Sequence, residues 1–232
     1  MSEGTILRAL VDTRDRQIQK ARLQFGNRLN ALQRGDDEGS SEQLGIVNHW
    51  YQRFLELEKE LDGHIAAEVE QYPIYDYVVA VKGIGPMLAA KLISMVDVSR
   101  APHVSSLWRY AGLAVIDGER ERPVKGEKLH YNKRVKTTCY LIAGSFLKSG
   151  SPYRDEYDKA RIYYDANRPD WTDGHCHNAA MRKMVKLFLS HLWVTWRQLE
   201  GLPITRPYSH EKLGHTHYLP PEDYGWPSAN GK

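Results

Sequence analysis

The sequence has few cysteines and no long apolar run. Its two cysteines, Cys139 and Cys176, are too few for a disulfide framework, so we expect a protein of the reducing cytoplasm. Apolar runs such as Tyr77–Val81 fall far short of the roughly 20 residues that a membrane-spanning helix needs, and we expect no membrane association. Basic residues from Arg8 onwards interrupt the start of the chain before an apolar core can form, which argues against a secretory signal.

The chain also has almost no surplus of one charge. Lysine and arginine number 32 and aspartate and glutamate 29 among 232 residues, a formal net charge of +3. So small a surplus does not identify a nucleic-acid binder. Whether the protein binds nucleic acid must instead be judged from local clusters of charge. With 41% hydrophobic residues the chain can build a packed core, and the composition argues against wholesale disorder.

Two long amphipathic patterns open the chain. Apolar residues recur every three or four positions from Ile18 to Leu32, and again from Val47 to Ile65. The polar segment 35–41 separates the two stripes, and Ser41 is a plausible N-cap for the second helix. Two such helices joined by a short turn predict an antiparallel coiled-coil hairpin over residues 1–71.

The second of these helices carries three large rings on adjacent turns, Trp50, Tyr51 and Phe54. One thin partner helix leaves part of that aromatic area uncovered. We therefore expect the hairpin to pair with a second copy, giving a homodimer or a higher homo-oligomer. Because Trp50 and Phe54 lie on the apolar stripe, Tyr51 is the ring expected to face the neighbour. Docking of the hairpin within its own chain is the alternative.

From Tyr72 onwards the segments are shorter and contain more glycine and proline. Helices are predicted near 74–81, 87–96, 105–111, 133–148, 153–166 and 174–200. The basic connection 112–132 is predicted to hold a small β-hairpin or no regular element. After Gly201 the chain carries a cluster of prolines, which predicts an extended arm. The predicted fold class is therefore all-α: a coiled-coil hairpin over 1–71, a compact helical domain over 72–200 that contains a helix-hairpin-helix motif, and a proline-rich arm over 201–232.

The helix-hairpin-helix motif is the most specific local pattern. An apolar helix ends at Gly83, and Pro86 stands in the first turn of the next helix, where proline is tolerated. Gly83 and Gly85 bracket Ile84, which we expect to pin the turn to the core. The small residues Ala89 and Ala90 allow the two helices to pack closely.

The same turn is a candidate phosphate site. Glycines let the backbone approach a phosphate, and the N–H groups that open the second helix face the anion. Lys82 and Lys91 are expected to flank that phosphate, with Gly83, Ile84 and Gly85 between them. Such a contact follows the DNA backbone and does not read the base sequence. The alternative is a helix-ending glycine followed by a proline-started helix without a ligand.

A basic segment lies downstream of the turn. Its cations are Arg120, Arg122, Lys125, Lys128, Lys133, Arg134 and Lys136. Only Glu121 and Glu127 oppose them, so this segment has a larger excess of positive charge than the whole chain. Tyr131 and His130 lie among the cations, a combination typical of nucleic-acid grooves. A merely solvated loop is the alternative.

The residues around the turn resemble a known family. The block contains Gly83-Ile-Gly-Pro, Ala89-Ala90, Asp97-Val-Ser-Arg100 and Tyr110-Ala-Gly-Leu113. It resembles the C-terminal domain of the bridge-RNA-guided insertion-sequence transposases, the one-ten/one-sixteen/nine-oh-two group. The resemblance covers residues 75–165 approximately, and the helical hairpin before it resembles the helical insertion of these proteins. The resemblance implies a DNA-binding protein that acts in recombination. Its expected partner is DNA, as branched DNA or as two paired DNA ends, and a structured RNA is a second candidate partner.

Two features of that family are missing from the sequence. Members carry an N-terminal nuclease-like domain with metal-binding carboxylates, and nothing of that size precedes Tyr72 here. Their nucleophilic serine lies in the loop after the Gly-Leu element, whereas residues 114–126 contain no serine. We therefore expect an accessory or catalytically degenerate recombination protein and assign no catalytic residue. Two alternatives stay open: an active recombinase or nuclease with a relocated nucleophile or a partner in trans, and a structural dimerisation module.

Other constellations carry weaker signals. Possible zinc ligands are His175, Cys176, His177, His215, His217 and Cys139, but no Cys-x-x-Cys accompanies them. Possible nucleophiles are Ser145, Ser149, Ser151 and Tyr131, and possible magnesium ligands are Asp97, Asp117 and Glu119. None has the partners that its chemistry requires at a recognisable spacing. We predict neither a metal nor a cofactor.

Overall fold

A computed structural model describes residues 4–35, 40–116, 119–120, 125–126, 128–204 and 219–228. Its architecture is all-α, which confirms the predicted fold class. The chain divides into two compact units, the first ending at Gln71 and the second beginning at Tyr72. This division falls at the residue where the sequence pattern changes. Within the described ranges, no helix combines the length and the apolar character needed to cross a membrane.

The first unit consists of two long helical stretches. They comprise α1 (Gly4–Thr13), a π-helical turn (Arg14–Ile18), α2 (Gln19–Arg34) and α3 (Ser41–Val69). Gly35 ends α2 in the left-handed conformation, with φ of 75°. Ser40, one residue before the predicted cap, accepts a hydrogen bond from the Gln43 N–H and forms a capping box with Gln43.

The two stretches pair in antiparallel fashion. Near the turn, the rings of Phe25 and Phe54 lie 5.6 Å apart. Farther from it, Arg14 Nε donates to Asp62 Oδ1 at 2.8 Å, and an Arg14 nitrogen lies 2.7 Å from Glu58 Oε1. Arg14 and Glu58 are both buried, and the charge of each is compensated by the other. The π-helical turn begins at Arg14, a feature that the apolar periodicity does not signal.

The exposed ring of the hairpin is Trp50, which corrects the prediction for Tyr51. Tyr51 is half-buried because its ring packs on α2 at Gly26, where a Cβ would lie 3.0 Å from Tyr51 Cε2. Trp50 keeps 47% of its surface exposed, and Ile46 on the preceding turn keeps 54%. Position on the apolar stripe therefore does not bury Trp50, since the stripe is wider than the surface that α2 covers.

The second unit contains the six predicted helices, with bounds shifted by a few residues. They are α4 (Tyr75–Ala80), α5 (Pro86–Ile93), α6 (Val104–Tyr110), α7 (Lys133–Ser149), α8 (Tyr153–Asn167) and α9 (Asp173–Leu199). One 3-10 turn lies at Val98–Arg100. Of the two alternatives for 112–132, a small hairpin or no regular element, the structure contains a short hairpin of β1 (Val115–Ile116) and β2 (Glu119–Arg120), antiparallel, with Val115 opposite Arg120.

The core of this unit is organised around α9. Helices α6, α7 and α8 all pack against it. Phe188 of α9 is fully buried and meets Phe146 of α7 edge-on, with ring centroids 5.3 Å apart. Phe146 in turn stacks on Tyr153 of α8 at 4.8 Å. Trp193 Nε1 donates to the Ala101 carbonyl at 2.7 Å, which ties the 3-10 segment to the same helix.

Of the predicted arm over 201–232, the structure describes residues 201–204 and 219–228, and the second of these segments is anchored to the second unit. This segment contains a 3-10 turn (Pro221–Tyr224) and buries Tyr224 and Trp226. Trp226 Nε1 donates to the Tyr153 hydroxyl at 2.7 Å. Residues 219–228 therefore depart from the prediction of an extended arm, because burial of their two aromatic side chains holds them against the helices.

Candidate nucleic-acid interface

The glycine turn joins α4 to α5 as the sequence pattern suggests. Ile84 is 5% exposed, and its N–H donates to the Val81 carbonyl at 3.0 Å, so this residue does pin the turn to the core. Ala89 and Ala90 are fully buried, and α4 packs against α5. The two helices are therefore in contact, as the small residues Ala89 and Ala90 lead us to expect.

Gly83 has a structural reason to be glycine. Its φ of 102° lies in the region that favours glycine, and a Cβ there would lie 2.6 Å from Ser149 Oγ and 3.2 Å from Phe146 Cδ1. Its carbonyl accepts a hydrogen bond from Ser145 Oγ at 2.5 Å. Because α7 occupies the space beside Gly83, the absence of a side chain there is explained without a phosphate.

Gly85 is different, because it faces open space. Its φ of −96° suits any residue, and apart from its chain neighbours no described part of the protein lies within 4 Å of the position that its Cβ would take. It is the N-cap of α5 and is exposed, as is Lys82. Lys91, by contrast, lies in the last turn of α5, about 7 Å along the axis from Pro86, where a cation stabilises the negative helix end. Of the predicted phosphate ligands, Gly85 and Lys82 therefore have the exposure that contact with DNA requires.

The Tyr110–Leu113 element fixes the start of α7. Gly112 has φ of 66°, and a Cβ on it would lie 2.7 Å from the Tyr131 ring, which packs there. The Tyr110 hydroxyl donates to the Met95 carbonyl at 3.0 Å and accepts from Asn132 Nδ2 at 2.8 Å. The Asn132 N–H donates to the Tyr110 carbonyl, also at 2.8 Å. These bonds hold the end of the basic segment against α6.

The first turn of α7 combines a positive helix end with basic side chains. Asn132 Oδ1 accepts from the N–H groups of Arg134 and Val135 and caps the helix. Lys133 and Arg134 follow directly, and the structure describes this turn in full and places no acidic residue in it. Each exposed cation at a helix N-terminus destabilises the helix by about 0.3–1 kcal/mol. A bound anion, in contrast, interacts favourably with both the cation and the helix end.

The remaining cations of the basic segment are distributed as follows. Lys125, Lys128 and Lys133 are exposed, and Lys136 Nζ lies 4.3 Å from the centroid of the Tyr131 ring. The backbone of Arg120 belongs to β2, and Arg122 lies outside the described residues. The Tyr131 ring therefore holds one cation of the segment, while exposed lysines extend along the chain on both sides.

Lys136 also reaches a cavity that the sequence does not predict. The cavity has a volume of about 120 Å³ and lies between α7, α9 and the turn after α6. Arg182 of α9 lines it together with Lys136, so the fold adds a cation from a distant helix. Tyr140, four residues after Lys136, also lines it and keeps 59% of its surface exposed. In the sequence, the signal for this cavity is Tyr140, a large aromatic residue on the otherwise polar face of α7.

The weaker constellations are occupied by structural contacts. The His175 ring stacks on Trp171 with centroids 3.9 Å apart, and His177 Nδ1 lies 2.7 Å from the Tyr157 hydroxyl. Burial raises the pKa of the Cys139 thiol to about 12. Among the described residues, no group of three or more histidine, cysteine, aspartate or glutamate side chains could hold a metal ion. His215 and His217 lie outside the described residues, as does Asp117.

The candidate serine nucleophiles also serve the fold. Ser145 Oγ donates to the Gly83 carbonyl, and Ser149 Oγ lies 3.5 Å from the Phe146 carbonyl. Ser151 is 2% exposed. None of these contacts pairs a hydroxyl with a general base, which nucleophilic activation requires.

The chain matches no family model, no curated protein and no solved structure.

Proposed function

We propose that this chain is a DNA-binding protein that contacts the phosphodiester backbone through its basic segment and the Gly85 end of α5. We propose further that it is an accessory or catalytically degenerate protein of DNA recombination, as its resemblance to the transposase C-terminal domain implies. The missing loop serine and the structural roles of Ser145 and Ser149 support a role without strand cleavage.

One observation carries the proposal: Lys133 and Arg134 open α7 at its positive end, and Lys136 follows them in the same helix. The whole chain has a surplus of only three positive charges, so this concentration is not a consequence of a generally basic composition. A cation at a helix N-terminus is unfavourable in the absence of a ligand, as for the exposed Lys133, whereas a polyanion turns the same arrangement into an attraction. Contacts of this kind position DNA without selecting a base sequence.

A charge-removal experiment tests this proposal. Lys125, Lys128 and Lys133 are changed together to glutamine, and binding to a duplex is measured over a range of salt concentrations. The slope of log K against log salt should become shallower by up to about 0.9 for each phosphate contact that is lost.

The matched control changes three exposed lysines elsewhere, Lys20, Lys59 and Lys148, to glutamine. It removes the same charge from the chain, and its slope should remain that of the unchanged protein. Equal slopes for the two triple variants would mean that the basic segment is simply solvated.

A second candidate function is dimerisation through the hairpin. The exposed apolar surface at Ile46 and Trp50 favours it, because an isolated monomer gains nothing from leaving both side chains in water. This function is compatible with the first, since recombination brings two DNA ends together.

A further inference from the structure

The cavity beside Lys136 has an apolar interior and a polar edge. It is lined by Gly112, Leu113, Lys136, Cys139, Tyr140, Ala143, Asn178, Met181, Arg182 and Val185. Cys139, Ala143 and Val185 are each no more than 2% exposed and supply an apolar surface. Tyr140 and Asn178 are exposed, and Lys136 and Arg182 are half-buried. Apolar contact and positive charge are thus available to one ligand at the same time.

The size of the cavity restricts the ligand. The cavity has a volume of about 120 Å³ and is partly open to solvent. A buried apolar cavity of about 150 Å³ accepts a benzene ring, which is the scale of one six-membered heterocycle. The cavity therefore suits a single planar ring whose substituent remains outside.

The chemistry of the edge identifies that substituent as an anion. Lys136 and Arg182 bring positive charge from two different helices to one cavity, and none of the described residues that line it is acidic. Tyr140 offers an exposed aromatic face on which a planar ring can stack. The Asn178 amide is held by donation from Nδ2 to the Gly174 carbonyl at 2.7 Å, and its oxygen is an acceptor that a base edge can use. A nucleobase with its phosphate offers a planar ring to Tyr140, a hydrogen-bonding edge to Asn178 and a negative charge to Lys136 and Arg182.

We propose that this cavity binds one unpaired nucleobase of the DNA that the basic segment holds, with Tyr140 stacking on the base and Arg182 contacting its phosphate. The inference rests on the proposed function, and Lys136 connects the two because it belongs both to the basic segment and to the cavity lining. A base reaches such a site only when it leaves the helical stack, which costs least for a base that has no pairing partner. The full-length protein should therefore prefer DNA with an unpaired nucleotide.

Fluorescence anisotropy on the full chain tests this with two labelled duplexes, one fully paired and one identical except for a single bulged thymidine. The unchanged protein should bind the bulged duplex about tenfold more tightly. Tyr140→Ala should abolish that preference and leave the affinity for the paired duplex unchanged, while Tyr140→Phe should retain the preference. Because Tyr140 is exposed, its replacement does not open a core cavity. Tyr163→Ala, at an exposed tyrosine of α8, is the matched control and should behave like the unchanged protein.

The outcomes separate the two proposals. Equal affinity for both duplexes, or a preference that survives Tyr140→Ala, overturns the base-binding cavity and leaves backbone binding intact. Absence of salt-dependent binding to either duplex overturns both proposals.

Discussion

At the scale of single residues, the two glycines of the turn have different roles although the sequence presents them as a pair. Gly83 combines a positive φ with the close approach of Ser149, so its glycine is required by the packing of α7. Gly85 has an ordinary φ and open space beside its Cα. If ligand binding explains a glycine in this turn, it therefore explains Gly85, because packing already accounts for Gly83.

This difference predicts opposite results for the two substitutions. Gly83→Ala should lower the free energy of unfolding by about 1–3 kcal/mol, because it adds backbone strain and a clash with Ser149. Gly85→Val should lower it by only about 0.5–1 kcal/mol, because valine is a poorer N-cap than glycine, but weaken duplex binding about tenfold, since its branched side chain would keep a phosphate away. Urea denaturation and a binding titration measure the two effects. A stable Gly85→Val variant with unchanged affinity would remove the turn from the interface.

At the scale of elements, the last described segment is held by a buried chain of hydrogen bonds. The Tyr153 hydroxyl lies 2.6 Å from His191 Nδ1 and accepts from Trp226 Nε1, so it donates to the histidine. His191 Nε2 therefore carries the hydrogen and donates to the Leu219 carbonyl at 3.0 Å. Burial lowers the pKa of His191 to about 4, and its neutral form joins α8, α9 and the segment 219–228.

The chain of bonds predicts an acid-sensitive stability. Between pH values of about 6.5 and about 4 an unfolded chain binds a proton at this histidine that the folded protein does not bind. The contribution of His191 is thus complete above pH 6.5 and is lost as the pH falls towards 4, by up to about 3 kcal/mol.

Urea unfolding at a series of pH values measures this contribution. His191→Gln should flatten the dependence in that window, whereas His49→Gln, at an exposed histidine of α3, should leave it unchanged. A His191→Gln profile that parallels the unchanged protein would contradict the assigned proton positions.

The sequence predicts the helices of the second unit well because local signals coincide there. Helix α7 is an example: Asn132 caps its start, Gly150 with φ of 63° ends it, and Val135, Ile142 and Phe146 form the buried stripe between them. Periodicity, capping and glycine placement all indicate the same bounds.

The features that the sequence does not predict depend on distant partners. The π-helical turn at Arg14–Ile18 includes an arginine whose partners Glu58 and Asp62 lie on the other helix. Trp226 donates a hydrogen bond to Tyr153, 73 positions earlier, and the cavity is lined by residues of both α7 and α9. A short stretch of sequence does not show which distant residues come into contact in the folded chain.

At the scale of the whole molecule, the two units divide the proposed work between assembly and DNA binding. The hairpin exposes Trp50 and Ile46, while the basic segment and the cavity belong to the second unit. Pairing of two hairpins would place two DNA-binding units in one particle, which recombination of two ends requires.

Assembly is tested with one substitution on the hairpin. Light scattering at micromolar concentration should give a mass near twice 26.7 kDa or higher for the unchanged chain. Trp50→Glu should return the monomer mass because it introduces a charge into the apolar contact, whereas Gln52→Glu, at an exposed polar position of the same helix, should not. A monomeric unchanged protein would leave the exposed apolar surface without the proposed partner.

The most direct test of the central claim is the affinity of the full chain for a fully paired duplex at two salt concentrations. Backbone contact by the basic segment predicts measurable binding that weakens at least about tenfold between about 50 and 200 mM salt, as expected for two or more phosphate contacts. Binding that is absent at the lower concentration, or that does not change with salt, would contradict the account.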